Sequence, residues 1–258
     1  MFNPLKGNLG PDAAIPKALE CKGMAFGKDG HLYTTYKIAI LAGVNSNIAH
    51  ILAYFSQYPD IDPGYNAAEL WLDKYVPVGN DKKWIEYIFN KLHSLHGGDG
   101  SAIKNRKETL ANLIQELYSQ KEYWKAGIFI HALGDAYAHT KNKLNSDDEV
   151  AYGEGLGHGW DSFFGRDPDK IDRVIVREKY IAYIKHLYGL LRTQSANDSD
   201  FNDFCSKIDV SFCYSKTCPT FQVLSDEDES KVDNFTNCMN KSMRNLTHKE
   251  IDDLLNKI

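Results

Sequence analysis

Apolar positions along this chain recur three and four residues apart far more often than they alternate, a spacing that predicts helices rather than strands. Helices are expected over 31–42, 46–57, 66–74, 82–95, 103–119 and 121–140. The heaviest periodicity is Leu110, Leu113, Ile114 and Leu117, at i, i+3, i+4 and i+7. After a loop over 141–157, the pattern predicts a short helix near 158–165 and a longer one over 169–193 carrying Ile175, Tyr180, Ile184 and Leu187. Residues 1–30, rich in Gly and Pro, read as an irregular arm, and 195–203 as a polar linker. Residues 204–224 mix β-branched and aromatic positions with Cys-Pro and read as a small hairpin or an irregular cap; 226–229 reads as an acidic turn. Thr247 with Glu250 three residues on is a capping-box signature, opening an amphipathic helix that runs to Ile258.

The helix predicted over 121–140 carries the most informative chemistry. His131, Asp135 and His139 recur every four residues within it. At roughly 3.6 residues per turn, these side chains stack on one face. Their neighbours Ile128, Phe129, Ile130, Ala132, Leu133, Gly134, Ala136 and Ala138 are small or apolar, which marks a core helix. An unpaired carboxylate there is strongly disfavoured, and a bound cation is the simplest compensation. Further groups of the same kind lie at His31, at Asp60 and Asp62, at His93 and His96, and at His158 with Asp161, followed by Asp167 and Asp169. His50, in the middle of an apolar helix, reads as a core residue, and His186 and His248 fall in the more polar C-terminal region. Mixed His/Asp ligation suits zinc, with manganese or iron admissible on ligand softness.

The order of these residues resembles the zinc-dependent phospholipase C and single-strand nuclease superfamily, including its smaller bacterial members. The resemblance covers roughly residues 24–175. It implies His31 as the early ligand, Asp60 as the first carboxylate, His93 as the mid-chain imidazole, His131 and Asp135 as the helical pair, His139 as the next imidazole, and His158 with Asp161 as the closing pair. It also implies two or three zinc ions, with the central carboxylate, here Asp135, bridging two of them. The chain departs from the family pattern in three places. About thirty residues precede His31, where secreted phospholipases C use a mature N-terminal amine as a ligand; Asp135 and His139 are closer in sequence than is usual; and the closing pair is His-x2-Asp. His96 in place of His93, and Asp169 in place of Asp161, remain open at this level.

The expected architecture is therefore all-α: a multi-helix bundle over 1–194 enclosing a polynuclear metal site, with 195–258 as a C-terminal cap or appendage. A chain of 258 residues with 43% hydrophobic and 25% charged positions suits a globular protein. The net charge of −5 argues against polyanion binding by the whole surface. The clusters Lys104, Arg106, Lys107 and Arg166, Lys170, Arg173, Arg177 read as solvated helix faces. No apolar run spans a bilayer: residues 38–55 come closest and are interrupted by Asn45, Asn47 and His50. The N-terminus lacks the basic start and apolar core of a secretory signal. A cytosolic protein, one whose signal has been removed, and one exported by a signal-independent route all fit that observation. Cys205, Cys213, Cys218 and Cys238 gather in the last third while Cys21 stands apart, a spacing that leaves disulfides and free thiols equally open.

With the resemblance, these features imply an enzyme that hydrolyses phosphodiesters with a metal-activated water. A phospholipid substrate met at a membrane surface is expected first, with Asp60 and Asp135 as catalytic carboxylates and Trp160, Phe163 and Phe164 near the substrate mouth. Asp62 is the alternative proton acceptor. Two other readings remain: a nuclease stacking the bases of a single strand on aromatic side chains, and a non-catalytic metal-binding protein that acts through partners.

Overall fold

The computed structural model describes residues 9–19, 29–67, 69–70, 82–153, 174–211 and 222–258. Among these the protein is all-α. In chain order the helices are α1 (Pro11–Leu19), α2 (Thr34–Leu41), entered through a π-helical turn at Asp29–Tyr33, α3 (Ser46–Ile61), α4 (Lys82–Lys91), α5 (Gly100–Ser119) and α6 (Tyr123–Ala138). They continue as α7 (Val174–Leu191), α8 (Asp198–Ser211), α9 (Asp226–Ser242) and α10 (His248–Leu255). The two strands are two residues each, β1 (Thr140–Lys141) and β2 (Val150–Ala151), antiparallel with Thr140 opposite Ala151.

Helix α6 is the axis of the bundle. It is buried from Ala126 to Ala136, lies between α3 and α5, and packs on α7. Its close approach to α3 requires Gly127. A Cβ there would stand 2.6 Å from the Phe55 Cβ and 2.9 Å from the Leu52 carbonyl oxygen, inside contact distance. Helix α3 starts at Asn45, whose side chain accepts from the Asn47 amide at 2.9 Å, and it runs past the expected end at 57. Pro59 removes only one N–H from the last turn, so the helix persists to Ile61 and Asp60 is a helical residue. Helix α5 begins earlier than the apolar pattern suggests, because Asp99 caps it, accepting from Ser101 and Ala102.

Three expectations differ from the structure beyond residue 194. The supposed linker is helical from Asp198, and 204–211 continue that helix, while 212–221 lie outside the described residues. The acidic turn is the first turn of α9. Ser225 caps it, and Asp226, Glu227, Asp228 and Glu229 sit at the positive end of the helix dipole. The short helix near 158–165 falls outside the described residues. Residues 9–19, expected as part of an irregular arm, hold α1 and a parallel bridge from Leu9 to Met243. Helix α10 opens as read, with Thr247 and Glu250 capping each other, and ends at Leu255 rather than at Ile258.

The described C-terminal segments share the core of the bundle: Val232, Phe235, Met239, Leu246 and Ile251 are buried in the same apolar cluster as Leu52 and Ile130. Polar links cross this junction. The Tyr33 hydroxyl donates to buried Asp233 at 2.8 Å; the Tyr58 hydroxyl donates to Asp62 and accepts from the Leu246 amide at 2.8 Å; the Tyr65 hydroxyl donates to the Leu246 carbonyl at 2.6 Å. No helix among the described residues is long and apolar enough to cross a membrane.

Candidate metal centre

Two turns of α6 present His131 and Asp135 on the face that meets α3 and the segment following α4. His131 is fully buried and Asp135 nearly so. The segment after α4 brings His93 against them, the π-helical turn brings His31, and the last turn of α3 brings Asp60. Five of the eight residues expected as ligands thus converge from four parts of the chain. Two overlapping groups could hold an ion: His93, His131 and Asp135, and His31, Asp60 and His131.

The first group has the more informative geometry. His93 Nδ1 lies 3.1 Å from Asp135 Oδ2, His131 Nε2 lies 3.2 Å from the same oxygen, and the two ring nitrogens are 3.2 Å apart. These edges form a nearly equilateral triangle. A tetrahedral zinc ion with bonds of about 2.0–2.1 Å has ligand atoms about 3.3–3.4 Å apart, so the triangle matches one face of such a site.

The far side of each ring fixes which nitrogen faces the carboxylate. The His93 Nε2–H donates to the Tyr65 carbonyl at 2.7 Å, and the His131 Nδ1–H donates to the Ser56 carbonyl at 2.9 Å. A main-chain carbonyl only accepts, so each bond fixes the tautomer and leaves the opposite nitrogen with a bare lone pair. Two lone pairs and a carboxylate oxygen then face one another without a donor among them. Three such atoms form a group that could hold a cation.

The second group is looser and nearer to solvent. His31 Nε2 lies 3.1 Å from Asp135 Oδ1, the carboxylate oxygen not used by the first triangle, and 3.9 Å from Asp60 Oδ2. Asp60 Oδ1 is also 3.9 Å from His131 Nε2. The side chains of His31 and Asp60 are 18% and 35% exposed, against 6% for Asp135, so the cluster opens on their side. Gln57 steadies the mouth, its Nε2 donating to Asp60 Oδ2 at 3.1 Å. The His31 ring packs beside that of His131, their centroids 4.2 Å apart, and lies against Gly134.

The cluster sets its own ionisation. Burial lowers the pKa of the His131 imidazole below its ordinary value. Burial also pulls on His31, but the hydrogen bond and charge of Asp135, with the charge of Asp60, more than offset it and leave this imidazole raised. Burial would raise the Asp135 carboxyl; the electrostatic influence of the His131 and His139 imidazoles and the hydrogen bond from His31 instead hold it well below the usual range.

The remaining expected residues fall as follows. His139 ends α6 as its C-cap, and its Nδ1–H donates to the His93 carbonyl at 2.8 Å. That nitrogen is 3.8 Å from Asp135 Oδ2, so His139 stands beside the cluster without joining either group. His158 and Asp161, with Asp167, Asp169 and the aromatic residues near them, lie outside the described residues. His96 is not in the cluster; its Nδ1 faces the Gly97 carbonyl. Asp62 is also apart: it accepts from Tyr58 and from the Gly64 amide at 2.9 Å, building the turn that ends at Tyr65. Gln57 and the carbonyls of Ser56 and Tyr65 were not anticipated. Main-chain acceptors carry no residue signature, whereas Gly134, a costly residue inside a helix, was a readable sign of close approach.

No family model, no curated protein sequence and no solved structure matches this chain.

Proposed function

We propose that the chain is a metal-dependent hydrolase of phosphodiesters, zinc being the metal its donor set suits best, with phospholipase C-type cleavage of a phospholipid as its reaction. The observation that carries the metal part is the triangle of His93 Nδ1, His131 Nε2 and Asp135 Oδ2, in which carbonyl acceptors behind both rings turn the lone pairs toward an anionic oxygen. The phosphodiester part rests on the resemblance in ligand order. A cation held by these residues would supply an acidified water, with pKa near 7, and positive charge against the phosphate oxygens.

The chain's own groups divide the remaining work. Asp135 offers one oxygen to each side of the cluster, Oδ2 toward His93 and His131 and Oδ1 toward His31, and so suits a bridging role. Asp60 is the most exposed carboxylate of the cluster and lies at its opening, where it can accept a proton from the attacking water. Gln57 holds one Asp60 oxygen and leaves the other to face the site. The buried walls, formed by His93, His131 and the α6 backbone, exclude bulk water from the reacting group. Among the described residues no thiolate joins either group, which sets the centre apart from the thiolate-rich structural zinc sites.

The test is metal analysis of protein purified without added metal, followed by assays on a chromogenic phosphodiester, on glycerophospholipid in mixed micelles and on single-stranded DNA. Expected are two or three zinc ions per chain, chelator-sensitive turnover, and release of diacylglycerol with a phosphorylated head group. Asp135→Asn, which keeps shape and removes charge, should cut metal content and abolish turnover while the helical signal persists. Full metal content and full rate in Asp135→Asn would remove the central assignment. Fast digestion of DNA without action on lipid would replace the phospholipase by a nuclease.

A further inference from the structure

The residue after His93 adopts a conformation that its type disfavours. Ser94 has φ +51°, in the left-handed region, and is buried at 1% exposure. Lys121, Asn142 and Asn145 also have positive φ, but all three are exposed. A backbone held in a sparse region by its surroundings, beside reactive groups, is a device for placing them. If the angle alone mattered, glycine would serve, as it does at Gly97 and Gly98 a few residues on, with φ +65° and +97°. Serine adds a hydroxyl, which donates to the Ala132 carbonyl at 2.8 Å.

That bond joins the segment carrying His93 to α6 at the residue next to His131. The left-handed angle turns the chain just as it leaves α4, where the His93 amide donates to Ile88 and the Leu95 amide to Phe89. The His93 ring is thereby directed onto α6, and its carbonyl is directed to the His139 Nδ1–H. We propose that Ser94 is a positioning residue, a bolt between this turn and α6 that sets both the ring of His93 and, through the His93 carbonyl, the ring of His139. The proposal rests on the metal-centre reading for its second readout only.

The test compares the parent with Ser94→Gly, which relaxes the angle and deletes the hydroxyl, and with Ser94→Ala, which deletes the hydroxyl alone. In the metal-free protein, nitrogen NMR of labelled histidine should show His93 in the parent as a single tautomer with its proton on Nε2. In Ser94→Gly that signal should average or split, with the melting temperature held or raised. With cobalt(II) or zinc added, Ser94→Gly should bind the first ion about tenfold more weakly, the scale of losing an outer-sphere support, and the visible bands of the cobalt form should shift. Ser94→Ala should show the same His93 signature and carries the test if Ser94→Gly does not fold. Unchanged His93 signals in both variants overturn the proposal, whatever the metal does. A parent that binds no divalent ion, yet loses its fixed His93 tautomer on substitution, defeats the metal reading and leaves Ser94 as the bolt.

Discussion

Gly134 measures how little space the centre leaves. A Cβ at this position would lie 3.0 Å from His31 Cε1, 3.2 Å from His31 Nδ1 and 3.3 Å from Tyr183 Cζ. Replacing it by alanine sets two effects against each other. Helix propensity gains roughly 0.5–1 kcal/mol. Crowding moves the His31 ring by a few tenths of an ångström, a small strain for a side chain on a short turn. Stability should therefore change by less than about 1 kcal/mol in Gly134→Ala. Function is less forgiving, because ligand distances tolerate only about 0.2 Å. On the proposed function, turnover and metal affinity should fall while the melting temperature stays close to that of the parent. Calorimetric metal titration of the variant beside its melting curve checks this, and parallel loss of both would mean that the glycine serves packing alone. The spacing of His131 and Asp135 on an apolar helix placed both on one face, while His139, at the same spacing, falls at the helix end and leaves that face. The meeting of His93 with Asp135 came only through the resemblance, since no local spacing links two residues so far apart and it rests on the carbonyl of Tyr65.

At the scale of elements, the junction between the end of α3 and the segment before α10 supports the centre from behind. The Tyr58 hydroxyl serves both Asp62 and the Leu246 amide, and the turn from Asp62 to Tyr65 presents the carbonyl that holds His93. Tyr58→Phe would leave the buried Leu246 N–H unsatisfied and take one donor from the Asp62 carboxylate, which keeps the Gly64 amide. Unsatisfied buried groups cost about 1–3 kcal/mol each, so the variant should lose roughly 2–4 kcal/mol. Thr247→Ala, which removes the cap of α10 at a more exposed position, should lose about 1 kcal/mol. Urea denaturation ranks the two, and equal losses would show that water reaches the Tyr58 junction. Tyr58→Phe should also weaken metal binding, and Thr247→Ala should leave it intact. The elements that escaped prediction share a cause. Phe201, Phe204, Cys205 and Ile208 in α8, and Val232, Phe235, Thr236 and Met239 in α9, repeat at helical spacing and are buried. Their acidic and polar neighbours mask that stripe in the sequence, and the helices become evident where α1, α2, α3 and α7 pack against them.

Across the whole molecule, the bundle follows from periodicity, while the docking of its last third on the core follows from contacts no local pattern encodes. His50 sits at that docking. It projects from α3 between Tyr36 of α2, at a centroid distance of 4.7 Å, and Phe235 of α9, stacked at 5.3 Å. Burial, aided by the charge of Lys231 and opposed by Asp228, lowers its pKa from 6.5 to about 4. In the unfolded chain it returns to the ordinary value, so between these limits the unfolded state binds a proton that the folded state rejects. The stability associated with neutral His50 is therefore complete above about pH 6.5, declines as pH falls toward 4, and changes no further below that. A shift of this size corresponds to at most roughly 3 kcal/mol, and partial solvent access reduces it to about 2. The other histidines are the same in parent and variant, so the comparison cancels them. His50→Phe keeps an aromatic ring between Tyr36 and Phe235 and removes the ionisation. In metal-free protein, the fall in unfolding free energy between pH 7 and pH 4.5 should be smaller in His50→Phe by about 2 kcal/mol. Identical pH dependence in parent and variant would show that His50 is solvated enough to charge in place, and that α9 does not seal it.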